Sequence, residues 1–210
     1  MNTRKSPESP QESNNPQRLQ PWLQPQSVVL VTGPARSGKS EWAESLALAA
    51  EHQGKSIVYV ATSVLNNDDQ EWLTRIDLHR QRRPASWSCI EGPVDLVEVI
   101  ETADGSSCLL IDSLGTWIAN ELESDAKAWD SLITNLLGAI ASTPATLIFV
   151  SEEVGWGVVP AYPIGRKFRD RLGQVTRRIG AIANPVYLVT GGHVLNLSIL
   201  GTPLGTPLLY

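Results

Sequence analysis

Gly33-Pro34-Ala35-Arg36-Ser37-Gly38-Lys39-Ser40 spells G-x-x-x-x-G-K-[ST] directly after the apolar run Val28-Val29-Leu30-Val31. This order decides the fold. A buried strand that feeds a glycine-rich loop and then a helix aims backbone N–H groups and the positive end of a helix dipole at one point, a cradle for phosphate. Lys39 is expected to reach the β- and γ-phosphates of a nucleoside triphosphate as a mobile charge, and the Ser40 hydroxyl to supply one oxygen to Mg²⁺. Gly33, Pro34, Ala35, Arg36, Ser37, Gly38, Lys39 and Ser40 are therefore the first nucleotide-binding residues.

On either side of this loop, strand and helix patterns alternate. Glu41 to Gln53 carries Trp42, Leu46 and Ala49-Ala50 at helical spacing and is closed by Gly54. The strand Ile57-Val58-Tyr59-Val60 follows and ends at Ala61-Thr62-Ser63, a small, hydroxyl-rich turn. A helix is expected from Asp69 to Gln81, an irregular stretch from Pro84 to Pro93, and a helix from Val94 to Ala103. Two continuous apolar strands then deliver carboxylates at their ends: Cys108-Leu109-Leu110-Ile111 runs into Asp112, and Thr146-Leu147-Ile148-Phe149-Val150 into Ser151-Glu152-Glu153. A long helix from Ile164 to Ala183 precedes the last strand, Val186-Tyr187-Leu188-Val189. The alternation predicts an α/β fold with a mostly parallel sheet and helices on both faces.

The 210 residues suit one domain. With 17 Lys+Arg against 22 Asp+Glu the formal charge is -5, and no basic tract points to nucleic acid. No apolar run has the length of a membrane span, and the N-terminus lacks a hydrophobic signal core. Two cysteines, Cys89 and Cys108, fit a reducing compartment, so the cytoplasm is expected. Residues 1–26, with Pro7, Pro10, Pro16, Pro21 and Pro25 among Gln, Ser and Asn, read as a disordered tail ahead of a single catalytic domain at 27–210.

Asp112 has two readings. A carboxylate at the end of a neighbouring buried strand can bind the Mg²⁺ directly or through water, and an Asp there can also cap the helix starting near Leu114. Either Glu152 or Glu153 could serve as a general base toward a substrate hydroxyl. In Arg75-Ile76-Asp77-Leu78-His79-Arg80-Gln81-Arg82-Arg83, a histidine sits within a run of arginines suited to polyphosphate. Helical spacing puts His79 on the face of Trp72, Ile76 and Arg83, at the border of packing and charge. It is a border residue on that ground alone, or a neutral nucleophile able to hold a nucleotidyl group as a P–N adduct. His52 reads as a helix C-terminal partner and His193, after Gly191-Gly192, as a turn residue.

Taken together, several stretches resemble one family. Thr32-Gly33-x-Ala35-Arg36-Ser37-Gly38-Lys39-Ser40 is followed by Ala61-Thr62-Ser63, Arg75-Ile76-x-x-His79-Arg80, Arg83-Pro84-Ala85-x-Trp87 and Glu91. Glu153-Val154-Gly155-x-Gly157-Val158-Val159-Pro160 and Arg166-x-Phe168-Arg169-Asp170-x-x-Gly173 come later in the same order. This set is similar to the bifunctional adenosylcobinamide kinase/adenosylcobinamide-phosphate guanylyltransferases. The resemblance implies a RecA-like P-loop fold and phosphorylation of adenosylcobinamide by GTP or ATP, followed by GMP transfer from GTP onto adenosylcobinamide phosphate. It implies that His79 is the guanylylated nucleophile and Gly33 to Ser40 the phosphate loop, whose Lys39 is the second catalytic residue. It further implies that Thr62, Ser63, Arg80, Gln81, Arg82, Arg83, Glu91 and Asp112 belong to the nucleotide site, that Ser40 and Asp112 hold Mg²⁺, and that the chain forms homotrimers. The chain departs from the family pattern at Glu152 and at Thr176-Arg177, where the family often has Asn and Asn-Gln.

Overall fold

A computed structural model describes residues 27–63, 80 and 82–204. The tail at 1–26, the expected helix from Asp69 to Gln81 with Arg75, His79 and Gln81, and the last six residues lie outside the described residues.

The first strand β1 (Val28–Gly33) leads through the glycine loop into helix α1 (Lys39–Glu51), and β2 (Ser56–Ala61) follows. Beyond it come β3 (Ser88–Glu91), α2 (Leu96–Glu101), β4 (Ser107–Asp112), α3 (Leu114–Asn120) and α4 (Ala126–Ser142). The chain then runs through β5 (Thr146–Glu152), α5 (Pro163–Ile182), β6 (Val186–Thr190), β7 (His193–Asn196) and α6 (Leu197–Leu200). Seven strands form one sheet in the order β3-β2-β4-β5-β1-β6-β7, parallel throughout except for β6–β7. The expected mostly parallel α/β architecture is the one that forms.

Alternation along the strands divides the core into two layers. Val29 and Val31 of β1, Tyr59 of β2 and Ile148 of β5 pack against Ala43, Leu46, Ala47 and Ala50 of α1. Leu30, Leu109, Ile111, Leu147 and Phe149 face the other way, against Trp117, Trp129, Leu136, Leu172, Val175 and Ile179 from α3, α4 and α5. Small residues on α1 let that helix lie close over β1, which holds the loop between them in one position.

Three expectations change. The stretch from Pro84 to Pro93 contains the parallel edge strand β3, which sequence pattern hides because all four of its residues are exposed. The helix expected over Val94 to Ala103 is shorter, α2, because the Asp95 carboxylate caps the N–H groups of Val97 and Glu98. His193 is no turn residue. Gly191 and Gly192, with φ of 57° and 75°, make the hairpin turn, and His193 begins β7 with its Nδ1 2.9 Å from Gly191 O. His52 sits at the C-cap of α1, as expected.

Candidate active site

Parallel strands bring their carboxyl ends to one edge of the sheet, and register decides which residues meet there. Gly33 ends β1 opposite Glu152, and Ala61 ends β2 opposite both Asp112 and Glu91. The glycine loop, the hydroxyl turn and three carboxylates of the sequence reading therefore share this edge.

The loop is built to take an anion. Gly38, at φ 92°, is the N-cap of α1, and no side chain caps the helix, so its first N–H groups face the loop without a protein acceptor of that kind. Lys39 is buried and donates from Nζ to Pro34 O at 3.4 Å, folding its ammonium over the loop. Ser37 Oγ is buried and has no hydrogen-bond partner among the described residues. Gly33 is required by space, since a Cβ there would stand 2.3 Å from Val189 O and 2.8 Å from Ser37 Oγ.

Asp112 ends β4 and accepts a 2.6 Å hydrogen bond at Oδ2 from the hydroxyl of Tyr59. It does not cap α3. Ser113 does, through a capping box with Thr116, and the helix-cap reading of Asp112 is thereby corrected. The donor set fits Mg²⁺, which takes one or two protein oxygens and completes its shell with water and phosphate. Ser40 in the first turn of α1 and the second oxygen of Asp112 are hard donors of that kind. Among the described residues no cluster of three or more His, Cys, Asp or Glu side chains forms a self-sufficient cage.

The three described arginines of the Arg75–Arg83 run are each paired with carboxylates. Arg80 grips Glu91 with Nε at 3.1 Å and Nη2 at 2.5 Å. Arg82 reaches back to α1, bonding Glu41 at 2.8 Å and Glu44 at 3.2 Å. The guanidinium of Arg83 lies 3.6 Å over the Tyr59 ring and donates to Cys89 Sγ and to Glu91. Burial pushes the Glu44 carboxyl above its ordinary value while Arg82 pulls it back, and the hydrogen bond from Arg80 leads in holding Glu91 below its own. The pattern that suggested polyphosphate binding thus also anchors this segment to α1, β2 and β3.

The Thr62 side chain is committed within the protein. Fully buried, its hydroxyl donates to Ser113 O at 2.6 Å, meets Thr116 Oγ1 at 2.6 Å and accepts from Ser113 N at 3.1 Å. Ser63 follows it half-buried at the same turn. Farther along the edge, Arg166 donates to Pro160 O and Ala161 O, and Arg169 to Gly155 O. These residues hold the loop between β5 and α5. Glu152, Thr176 and Arg177, the positions that depart from the family pattern, line a single cleft on this side.

Sequence reasoning passed over Tyr59 and Glu44. Tyr59 reads as one more apolar residue of a strand, and the only signal is that a buried phenol needs a partner for its O–H. Glu44 lies on the inner face of an otherwise Ala- and Leu-rich helix, which is the mark of a paired charge.

Residues 29–197 match the family described as cobinamide kinase / cobinamide phosphate guanyltransferase. The bifunctional adenosylcobalamin biosynthesis protein CobU of Escherichia coli is 35% identical over 180 residues, covering 79% of this chain and 96% of that protein. CobU of Salmonella typhimurium is 36% identical over 181 residues, with coverage of 79% and 96%. CobP of Pseudomonas aeruginosa, carrying the same bifunctional description, is 36% identical over 177 residues, with coverage of 83% and 98%.

Proposed function

The chain belongs to the cobinamide kinase / cobinamide phosphate guanyltransferase family, and we propose that one nucleotide site on the Gly33–Ser40 loop serves both of its reactions. The protein is a bifunctional transferase of adenosylcobalamin biosynthesis, a kinase toward cobinamide and a guanylyltransferase toward cobinamide phosphate.

The uncapped start of α1 with Lys39 folded 3.4 Å from Pro34 O is the observation that carries the nucleotide-site reading. A lysine resting on a carbonyl of its own loop is free to swing to the phosphates of GTP or ATP, where it gains a stronger, charge-assisted bond. Ser40 and Asp112 would hold Mg²⁺, which when bound neutralises charge on the phosphates. On this reading Glu91, the arginines at 80, 82 and 83, and Ser63 bound the same site, Thr62 holds the turn through Ser113 and Thr116, and Gln81 is assigned to the site by the family resemblance alone.

For guanylyl transfer the nucleophile is His79. A ring nitrogen bonds to the α-phosphorus of GTP as pyrophosphate leaves, and a phosphate oxygen of adenosylcobinamide phosphate then displaces the imidazole to give adenosyl-GDP-cobinamide. Support comes from two described arginines of the same run: Arg80 pairs with Glu91 at the end of β3, and Arg82 pairs with Glu41 and Glu44 of α1.

The assembly is a homotrimer and the compartment the cytoplasm. Trp156, Val158, Val159, Tyr162 and Ile164 stand exposed within one short stretch, apolar surface that a second copy would cover. No helix among the described residues is long and apolar enough to cross a membrane, and Cys89 and Cys108 are free thiols.

The test uses GTP labelled at the α- or the γ-phosphate. Retention of the α label alone, in an acid-labile and alkali-stable adduct that His79→Ala abolishes, is the expected result. Undiminished labelling of folded His79→Ala protein would falsify the nucleophile assignment. Light scattering on the eluted protein tests the trimer.

A further inference from the structure

Two carboxylates follow one another at the end of β5, and the fold uses them differently. Glu152 is spent on α3: its Oε1 accepts from the Ser113 hydroxyl at 2.5 Å and its Oε2 from the Gly115 N–H at 3.0 Å. Glu153 is held at one oxygen. Its Oε1 accepts from Thr32 Oγ1 at 2.8 Å, and its backbone N–H donates to Gly33 O at 2.9 Å. Those two bonds tie Glu153 to the last residues of β1, immediately before the loop that carries Lys39. No hydrogen bond within the described residues engages Oε2 of Glu153.

Glu153 also lines a cleft of about 470 Å³ between β5 and α5, walled in addition by Val154, Arg169, Thr176 and Arg177. A space of that size falls within the range of small-ligand pockets and is too small for a corrin macrocycle, but it suits a flexible arm.

We infer that Glu153 is the base of the kinase step and that this cleft admits the hydroxyl-bearing arm of the acceptor, with the macrocycle outside. The inference rests on phosphoryl transfer at the Gly33–Ser40 loop. In the step, the acceptor oxygen bonds to the γ-phosphorus as the bond from that phosphorus to the β,γ-bridging oxygen breaks. The hydroxyl proton passes to Oε2 of Glu153, and the nucleoside diphosphate departs with the electron pair of the broken bond. The Thr32 hydroxyl, by fixing Oε1, aims the other oxygen. Glu152 has no oxygen to give, and Asp112 has one oxygen held by Tyr59 and would give the other to Mg²⁺.

The experiment measures the two half-reactions separately, cobinamide with γ-labelled nucleotide and supplied cobinamide phosphate with GTP. Glu153→Gln keeps the shape and an oxygen for Thr32 but cannot take a proton. Its kinase kcat is expected to fall about 100-fold while guanylyl transfer changes by less than about threefold. Glu153→Ala should lose the same activity and regain part of it with added formate, which a purely structural glutamate would not allow. Kinase activity of Glu153→Gln close to the unmutated level overturns the assignment, as does an equal fall in both half-reactions with a lowered Tm. Unmutated protein that transfers guanylyl but never phosphorylates cobinamide would instead remove the kinase reading on which the inference stands.

Discussion

The Tyr59 hydroxyl donates a 2.6 Å hydrogen bond to Asp112 Oδ2 across the β2–β4 ladder. The residue opposite Tyr59 is Leu110, and Asp112 lies two positions farther on the same face, so the pair is a diagonal cross-strand contact reached by a long side chain. Burial, then the neighbouring Asp112 carboxylate, pushes the Tyr59 phenol far above its ordinary value, so it stays a donor at any working pH.

Tyr59→Phe is therefore expected to release Asp112 without disturbing the strand. Stability should drop by about 1 kcal/mol for the lost hydrogen bond. The Mg²⁺ concentration needed for half-maximal nucleotide binding should rise severalfold, and Asp112→Asn should raise it further. Calorimetric titration of nucleotide at a series of Mg²⁺ concentrations reads the effect, and a Mg²⁺ dependence unchanged in both variants would remove Asp112 from the cation site.

Gly33→Ala should damage fold and site together. The added Cβ would meet Val189 O at 2.3 Å, a backbone atom of the adjoining strand that has no rotamer to give. Overpacking of this kind costs about 1–3 kcal/mol, and the loop that must shift is the phosphate cradle. A Tm lowered by several degrees with weakened triphosphate binding is expected. Gly54→Ala is the control: φ is 88° with open space around the position, so it should cost about 1 kcal/mol in stability and nothing in binding.

The glycine loop, the strand-end carboxylates and the parallel sheet were legible because each is a local signal: an apolar run, a fixed spacing, a residue at a strand end. The network joining them was not. Tyr59 to Asp112, Arg82 to Glu44 and Thr32 to Glu153 join residues far apart in sequence; strand register brings the first and third pairs together, and the packing of α1 on the sheet presents Glu44 to Arg82. The edge strand β3 escaped because exposed strands carry no apolar pattern. Register also resolved what sequence left open, assigning the cap of α3 to Ser113 and separating Glu152 from Glu153 by their partners.

Arg171 belongs to the fold, although it stands beside Arg169 and Asp170 in a stretch that resembles the family. Only 7% exposed, it donates to Glu121 O and Ser124 O, both at 2.6 Å, and lies 4.3 Å over the Trp129 ring. Lysine cannot serve two carbonyls in that fork geometry while stacking on the indole. Arg171→Lys is expected to cost about 1–3 kcal/mol in urea unfolding and to leave nucleotide affinity of the folded protein unchanged.

Glu91 gives the protein a small acid-sensitive contribution whose sign follows from its pairing. The hydrogen bond from Arg80, with further attraction from Arg80 and Arg83, holds its carboxyl below the ordinary value in the folded state. The stabilisation is therefore complete above the unfolded value of about 4.3 and is lost as pH falls through the lower, folded value. The side chains of Arg80 and Glu91 are 41% and 35% exposed, so solvent screening keeps the pair within about 1 kcal/mol. Glu91→Gln should accordingly be less stable than the unmutated protein at pH 7 by a fraction of that amount, and the two should converge as the pH drops toward 3. Urea unfolding of both proteins across that range measures the gap; a gap that widened on acidification would mean that Arg80 does not stabilise the Glu91 carboxylate in the folded protein.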